Sequence, residues 1–384
     1  MRHADQRARY LVAHPGAELY GSDRVMLETV LGLLESGADV VVTVPEDGPL
    51  VAQLRSAGAM VEIAPALVLR KSLLAPRGWA TLIRSAVSGW RSARRLLDAY
   101  RPDAVYVSTI TLPLWPVAAA SRRLPSVVHL HEAEQNASAA VKKGLYAPVL
   151  LAREIIVNSE FSRGVLGEAY PRLAARSQVV YNGVAGPDGV TAPRPELGAP
   201  VRLVYIGRLS PRKGPDVIVE ALALLSPSTT DVHLDLVGAV FSGYEWFEEE
   251  LRSRIRELGL QDRVRLLGFR PSVWDAVDQG DIVVIPSRLD EPFGNTAVEG
   301  ILAARVVLVS DTSGLREATE VFPTAIRFAP DDARALADAI ESAISGWAEL
   351  QPQLDAQADQ AAQRYSPTRY RSDVARIMNE VRPR

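Results

Sequence analysis

Cysteine is absent from this chain of 384 residues, which excludes disulfides, thiolate zinc sites and a cysteine nucleophile. Histidine is scarce, with five in all, so metal binding or acid–base work would fall to few candidates. Two of the five, His129 and His131, are separated by a single residue, Leu130. Lysine is scarcer still, at four against 39 arginines. Long apolar runs are missing as well: TLPLWPVAAA (111–120) and APVLLA (147–152) are short and are broken by proline or followed by charge, so no bilayer span is predicted. The opening MRHADQRARYLVAHPGAELYG carries charge without an adequate apolar stretch after it, so no signal peptide is expected and a cytoplasmic location is the default. No G-x-G-x-x-G follows a strand-like segment and no G-x-x-x-x-G-K-[ST] occurs, which argues against a dinucleotide oxidoreductase and a P-loop NTPase. D-x-D, a natural Mg²⁺–diphosphate clamp, is also lacking. A bound phosphate would have to be held by backbone amides and cations.

What is present suits a soluble globular protein, with 47% hydrophobic and 23% charged residues. The length suits two domains of roughly 150–200 residues each. A net charge of −3 conceals an asymmetry, because residues 1–190 carry +4 and the remainder −7. Arg70 to Arg101 concentrates eight basic residues against one acid, Asp98, with Leu73, Leu74, Trp79, Leu82, Ile83, Val87 and Trp90 interleaved.

Strand-like and helix-like segments alternate along the chain. YLVAH (10–14), DVVVTV (39–44), AVYVS (104–108), PSVVHLH (125–131) and EIIVNS (154–159) read as buried strands, and Asp23–Glu35 has helical periodicity. After residue 200 the pattern resumes with VRLVYIG, HLDLVG, VRLLGF, DIVVIPS and VVLVS, between which lie helices that include DVIVEALALL and a charged one over Glu245–Leu258. Continuous apolar strands separated by helices predict parallel sheets covered on both faces. Between the two series, GPDGVTAPRPELGAP (186–200) carries four prolines and has a linker composition. The expected architecture is therefore α/β, with two doubly wound domains joined by a hinge and facing across a cleft. Ligands in such folds bind beyond the carboxyl ends of the strands.

Two motifs lie at expected strand ends. GRLSPRKGPD (207–216) presents Arg208 and Lys213 just before a helix opened by Pro215. It reads either as a diphosphate cradle or as a solvated basic loop. EPFGNTAVEG (291–300) holds Glu291 ahead of a helix-breaking Pro292 and Gly294, and Glu299 inside the helix that follows. In one reading Thr296 N-caps that helix and Glu299 completes a capping box. In the other, the amides of Gly294, Asn295 and Thr296 point the helix's positive end at a phosphate, with Glu299 on a ribose diol and Glu291 on a sugar's hydroxyls. The residues alone leave both open.

Several segments, in order and at their intervals, resemble the family 4 retaining glycosyltransferases of GT-B fold. They are Gly21-Ser22 after the first strand, His131 ending a mid-domain strand, VNSEFSR (157–163), YNGV (181–184), GRLSPRKG, and the E-x7-E of Glu291 and Glu299. The likeness spans nearly the whole chain. It implies two Rossmann-like domains: an acceptor-binding one over 1–185 and a nucleotide-sugar-binding one over 201–364. Residues 186–200 link them, and a last segment, 365–384, crosses back to the first domain. It implies Arg208 and Lys213 as the donor-diphosphate cations, Glu299 as the ribose carboxylate, and Glu291 at the donor sugar near the reacting centre. His131 would lie near the sugar's 6-position and the acceptor. Gly21 and Ser22 would form the loop under the diphosphate, and Phe293, Gly294, Asn295 and Thr296 would complete the donor loop. Phe269 and Arg270, after VRLLGF, belong to the expected base-binding segment. The expected catalytic set is thus His131, Arg208, Lys213 and Glu291, with no metal and no cofactor, since the helix dipole and the cations would do a metal's work.

Departures from the pattern concern the first loop, where many relatives have Gly-Gly and this chain has Gly21-Ser22; Ser22 or Asp23 as caps of the following helix remain the alternative. His129 is additional and reads as a core histidine. The implied reaction is transfer of a glycosyl group with retention, by front-face attack, the leaving diphosphate serving as base. Alternatives are a sugar-nucleotide epimerase, a phosphorylase (which needs a cofactor lysine) and a non-catalytic sugar-nucleotide-binding protein. Donor binding is expected to draw the domains together. For the acceptor, the expectation is a lipid-linked or cell-envelope glycan precursor, with a soluble natural product as the alternative; nucleic acid is not expected as a partner. Arg70 to Arg101 reads either as an anionic-membrane dock, making the protein peripheral on the inner face of the cell membrane, or as a surface helix with solvated arginines.

Overall fold

The computed structural model describes residues 7–382 except 71, 72, 74, 227, 228, 230 and 242. The charged start at 1–6 and Lys71 and Leu74 of the basic stretch therefore lie outside the described residues. The chain forms two compact units, one holding everything to Gly183 together with Pro367 onward, the other Val184–Ser366.

In the N-terminal unit, seven parallel strands are arranged β3-β2-β1-β4-β5-β6-β7. They are β1 (Arg9–Ala13), β2 (Asp39–Val44), β3 (Met60–Ile63), β4 (Ala104–Val107), β5 (Ser126–Leu130), β6 (Glu154–Val157) and β7 (Gln178–Val179). Alternate residues serve opposite faces, as a pleat requires. Tyr10 and Val12 pack under the helices Gly21–Glu35 and Pro367–Val381, against Val30, Leu33, Val374 and Met378. Leu11 and Ala13 pack on the other face with Leu96 and Leu97 of the Trp79–Tyr100 helix. Each buried Leu or Val contributes about 1.5–3 kcal/mol, so these two layers define the unit. The last helix is further tied by Arg371, which pairs with Glu28 and Glu35 at 2.6 Å each.

The C-terminal unit repeats the design with six parallel strands, ordered β10-β9-β8-β11-β12-β13. These are β8 (Val201–Ile206), β9 (Val232–Val237), β10 (Val264–Gly268), β11 (Ile282–Ile285), β12 (Val306–Ser310) and β13 (Ala325–Phe328). In both sheets the order reverses beside the first strand, between β1 and β4 and between β8 and β11. A crevice opens at the carboxyl end of such a switch point.

Local structure departs from the sequence reading at two places here. The first helix begins at Gly21 with Tyr20 as its N-cap, so Ser22 is inside the helix and does not cap it. Asp23 reaches back instead, accepting the Tyr20 N–H at 2.9 Å. The proline-rich stretch 186–200 belongs with the C-terminal unit. Arg194 holds it there, donating to Asp281 at 2.6 Å and to the Pro200 carbonyl at 3.2 Å. Buried Arg305 donates to the Thr191 carbonyl at 2.9 Å. Proline abundance signalled a connection; charge pairing made it part of a domain.

Candidate functional site

The switch point of the C-terminal sheet gathers two loops. One leaves β8 through Gly207 and Arg208, makes a tight turn over Pro211–Lys213, and enters the Pro215–Leu224 helix with proline at its first position. The other leaves β11 through Pro286, Ser287 and Arg288 and reaches Glu291. Gly214 joins the loops: its φ is +66°, and a Cβ there would stand 2.3 Å from the Pro286 carbonyl oxygen, so only glycine fits. Arg288 fastens them, with Nη1 donating to the Pro211 carbonyl at 2.8 Å and both terminal nitrogens gripping the Asp216 carboxylate at 2.8 and 2.6 Å.

Glu291 sits at the centre of this construction, 7% exposed. Its Oε1 accepts from Ser287 Oγ at 2.8 Å and pairs with Lys213 Nζ at 2.8 Å and an Arg212 Nη at 2.9 Å. Burial pushes the carboxyl upward, but the two cations overrule it and hold the group down at about 2. The cluster thus carries one anion and two cations at a strand-end crevice. Its backbone is closely backed: a Cβ on Gly314 would fall 1.9 Å from the Glu291 carbonyl oxygen.

The following helix runs Asn295–Leu302 with Gly294 as N-cap. Thr296 is therefore in its first turn and is not the cap, so of the two readings the sequence left open, the capping box with Glu299 is not the arrangement the chain adopts. Glu299 is half-buried on this helix. Phe293 is 2% exposed and packs edge-on against Tyr365, ring centroids 5.4 Å apart. Its ring belongs to the core, because the turn that Gly294 permits swings it inward. Arg208 lies with its guanidinium over the Phe241 ring, 3.2 Å from the centroid, while its carbonyl accepts from Tyr205 Oη at 2.6 Å. Phe269 and Arg270 follow β10, both exposed.

In the N-terminal unit the switch point carries a different set. His14, just past β1, bonds Ser108 Oγ through Nδ1 at 2.6 Å and Asp23 Oδ1 through Nε2 at 2.8 Å, and all three residues are buried. His131 follows β5; burial, with His14 nearby, depresses its imidazole to about 3, leaving it neutral at any working pH. Its ring stacks on His129, centroids 3.9 Å apart. His129 is fully buried, as a core histidine should be, and Nδ1 meets Tyr106 Oη at 2.5 Å. Its Nε2, however, has no hydrogen-bond partner among the described residues. Glu132 is driven by burial up to about 7, against bonds from Thr109 and from the Ile110 and His131 amides. Gly21 and Ser22 are exposed at the start of their helix.

Among the expected residues, Lys213 and Glu291 are in direct contact; His131, Gly21 and Ser22 belong to the other unit. Arg212, His14, Asp23, Ser108 and Glu132 were missed. A signal existed for His14 and Ser108, the polar residues ending YLVAH and AVYVS, and for Arg212, adjacent to Lys213. None existed for Glu132, whose character comes from its burial. Among the described residues no group of three His, Asp or Glu is placed to hold a metal ion. None of the described helices is long and apolar enough to cross a membrane.

Two family models match the chain in succession: Glycosyltransferase Family 4 over residues 20–185 and Glycosyl transferases group 1 over 194–364. Among curated proteins, it is 30% identical over 185 residues to the D-inositol 3-phosphate glycosyltransferase of Jonesia denitrificans, covering 47% of this chain and 43% of that protein. It is 27% identical over 176 residues to the lipopolysaccharide 1,2-N-acetylglucosaminetransferase of Salmonella typhimurium, covering 43% of this chain and 45% of that protein. The matched stretch thus spans less than half the length of these relatives. Among solved structures, Anabaena HepE in complex with UDP and glucose superposes with a TM-score of 0.78 at 22% identity, covering 97% of this chain and all of that one. At that identity the likeness is one of fold.

Proposed function

The chain belongs to the family 4 glycosyltransferases, and from that premise we propose that it is a retaining enzyme transferring a hexosyl or deoxyhexosyl group from a nucleoside diphosphate sugar to an acceptor hydroxyl. The observation that carries this reading is the Lys213–Glu291–Arg212 cluster at the β8/β11 switch point. An ionised carboxylate suited to sugar hydroxyls is there within hydrogen-bond reach of cations suited to a diphosphate. The UDP and glucose bound by HepE support a nucleotide-sugar donor.

In the proposed reaction the acceptor oxygen bonds to the anomeric carbon as the bond from that carbon to the diphosphate oxygen breaks on the same face. The hydroxyl proton passes to the departing diphosphate. Arg208 and Lys213, with the amino end of the Asn295–Leu302 helix, stabilise the charge that develops there, so neither metal nor cofactor is required. Glu299 takes the ribose diol, and neutral His131 offers a hydrogen bond near the sugar and acceptor without adding charge.

The acceptor proposed is a lipid-linked or cell-envelope glycan precursor, met at an anionic membrane surface. Support comes from the Trp79–Tyr100 helix. Its second half packs on the sheet, but its first half leaves Trp79, Ile83 and Val87 exposed at 57%, 65% and 45%, one turn apart, beside exposed Arg77, Arg84 and Arg91. The deciding experiment is a panel of UDP, GDP and dTDP sugars read by thermal shift and by donor hydrolysis. A stabilising donor that is slowly hydrolysed is the expected result; no response to any sugar nucleotide would overturn the reading.

A further inference from the structure

The edge of the N-terminal sheet opposite His14 and His131 has no part in that reaction, yet it carries a strongly basic concavity. Where β5, β6 and β7 begin, a groove of about 1300 Å³ is lined by Arg123, Arg153, Arg176, Arg376 and Arg382, with Glu380 the one carboxylate among the described lining residues. The arginines come from separate places: the segments before β5 and β6, the last residue of the Pro171–Arg176 helix before β7, and the last turns of the Pro367–Val381 helix and the residue after it. Arg376 is offset by Glu380 at 3.0 Å and Arg382 lies 3.8 Å from Asp103. Among the described residues Arg176 donates only to neutral carbonyls, Ala152 at 2.9 Å and Arg153 at 3.3 Å, which orients its guanidinium without cancelling its charge. Arg123 and Arg153 are exposed and form no ion pair among the described residues.

Three uncompensated guanidinium groups converging on one groove, in a chain of net charge −3, suit an anion of several charges, and the planar fork of arginine matches phosphate oxygens in pairs. At about 1300 Å³ the groove is somewhat larger than an ordinary drug-sized pocket, leaving room for a polyanion together with part of its hydration. We infer that this groove binds a soluble small molecule bearing two or more phosphate groups, at a site distinct from the donor site and independent of the glycosyl-transfer reading.

The test is isothermal titration of tripolyphosphate into the full chain carrying Lys213→Ala and Arg208→Ala, which removes both proposed diphosphate cations of the donor site from the measurement, with and without Arg123→Gln and Arg153→Gln. Binding by the double-alanine chain, weakened at least tenfold by the two glutamines with no change in Tm, is the expected result. Equal binding by both proteins, or none by the double-alanine chain, overturns the groove. In the second case, binding by the wild type alone would leave the donor site standing. Should the chain with both glutamines fail to fold, Arg153→Gln alone is read the same way. A parallel arm uses phosphatidylglycerol vesicles: pelleting that depends on Arg123 and Arg153, with no tripolyphosphate binding, overturns the soluble ligand in favour of a lipid headgroup.

Discussion

Lys213 Nζ and Glu291 Oε1 are 2.8 Å apart, although the two residues come from loops after β8 and β11, strands far apart in sequence and neighbours in the sheet. The pair couples the cation proposed for the leaving diphosphate to the carboxylate proposed for the sugar. Lys213→Ala and Arg208→Ala are each expected to lower kcat by roughly 10²–10³, the usual cost of removing one donor to a developing oxyanion, with unchanged circular dichroism. Transfer at near wild-type rate by either variant would remove that residue from the clamp.

The same pair makes stability depend on acid. The Glu291 carboxyl is held at about 2 in the fold, below its ordinary 4.5. Its contribution is therefore complete above pH 4.5 and disappears as the pH falls towards 2. The displacement corresponds to about 3 kcal/mol. Urea unfolding of wild type and Glu291→Gln should differ most at pH 6 and progressively less down to pH 3. A difference that stays constant with pH would mean that the ion pairs do not hold the carboxyl down.

Gly214→Ala tests the geometry rather than the charge. A Cβ at φ +66° costs about 1–2 kcal/mol by itself, and the Pro286 carbonyl 2.3 Å away forces the loops apart. The expected outcome is a lower urea midpoint together with loss of donor binding by calorimetry. Gly37→Ala is the control: it has φ +84° and nothing within 4 Å of the added carbon, so it should lower stability and leave donor affinity untouched.

For the Trp79–Tyr100 helix, sedimentation with anionic vesicles is the measurement. Wild type should pellet at low salt and less at high salt, since exposed charges are screened beyond about 10 Å at 0.1 M. Replacing Trp79, Ile83 and Val87 by serine should abolish pelleting, and changing Arg91, Arg94 and Arg95 to glutamate should abolish its salt-sensitive part. Equal pelleting by all three proteins would count against this surface.

Periodicity and composition alone determined the two α/β series, because apolar runs such as DIVVIPS and VVLVS can be satisfied only in sheets covered on both faces. The ordered motifs in turn pointed to Arg208, Lys213, Glu291 and Glu299. Only tertiary structure decided what those residues touch. Arg212 joined Lys213 on Glu291 because a tight turn over Pro211–Lys213 points both side chains at one strand-end crevice. The Phe293 ring, at 2% exposure, turned inward to pack on Tyr365. The 186–200 stretch became part of a domain through Arg194 and Arg305. Glu132 and His131 owe their shifted protonation to burial, which depends on how distant segments pack around them, and no local spacing encodes that.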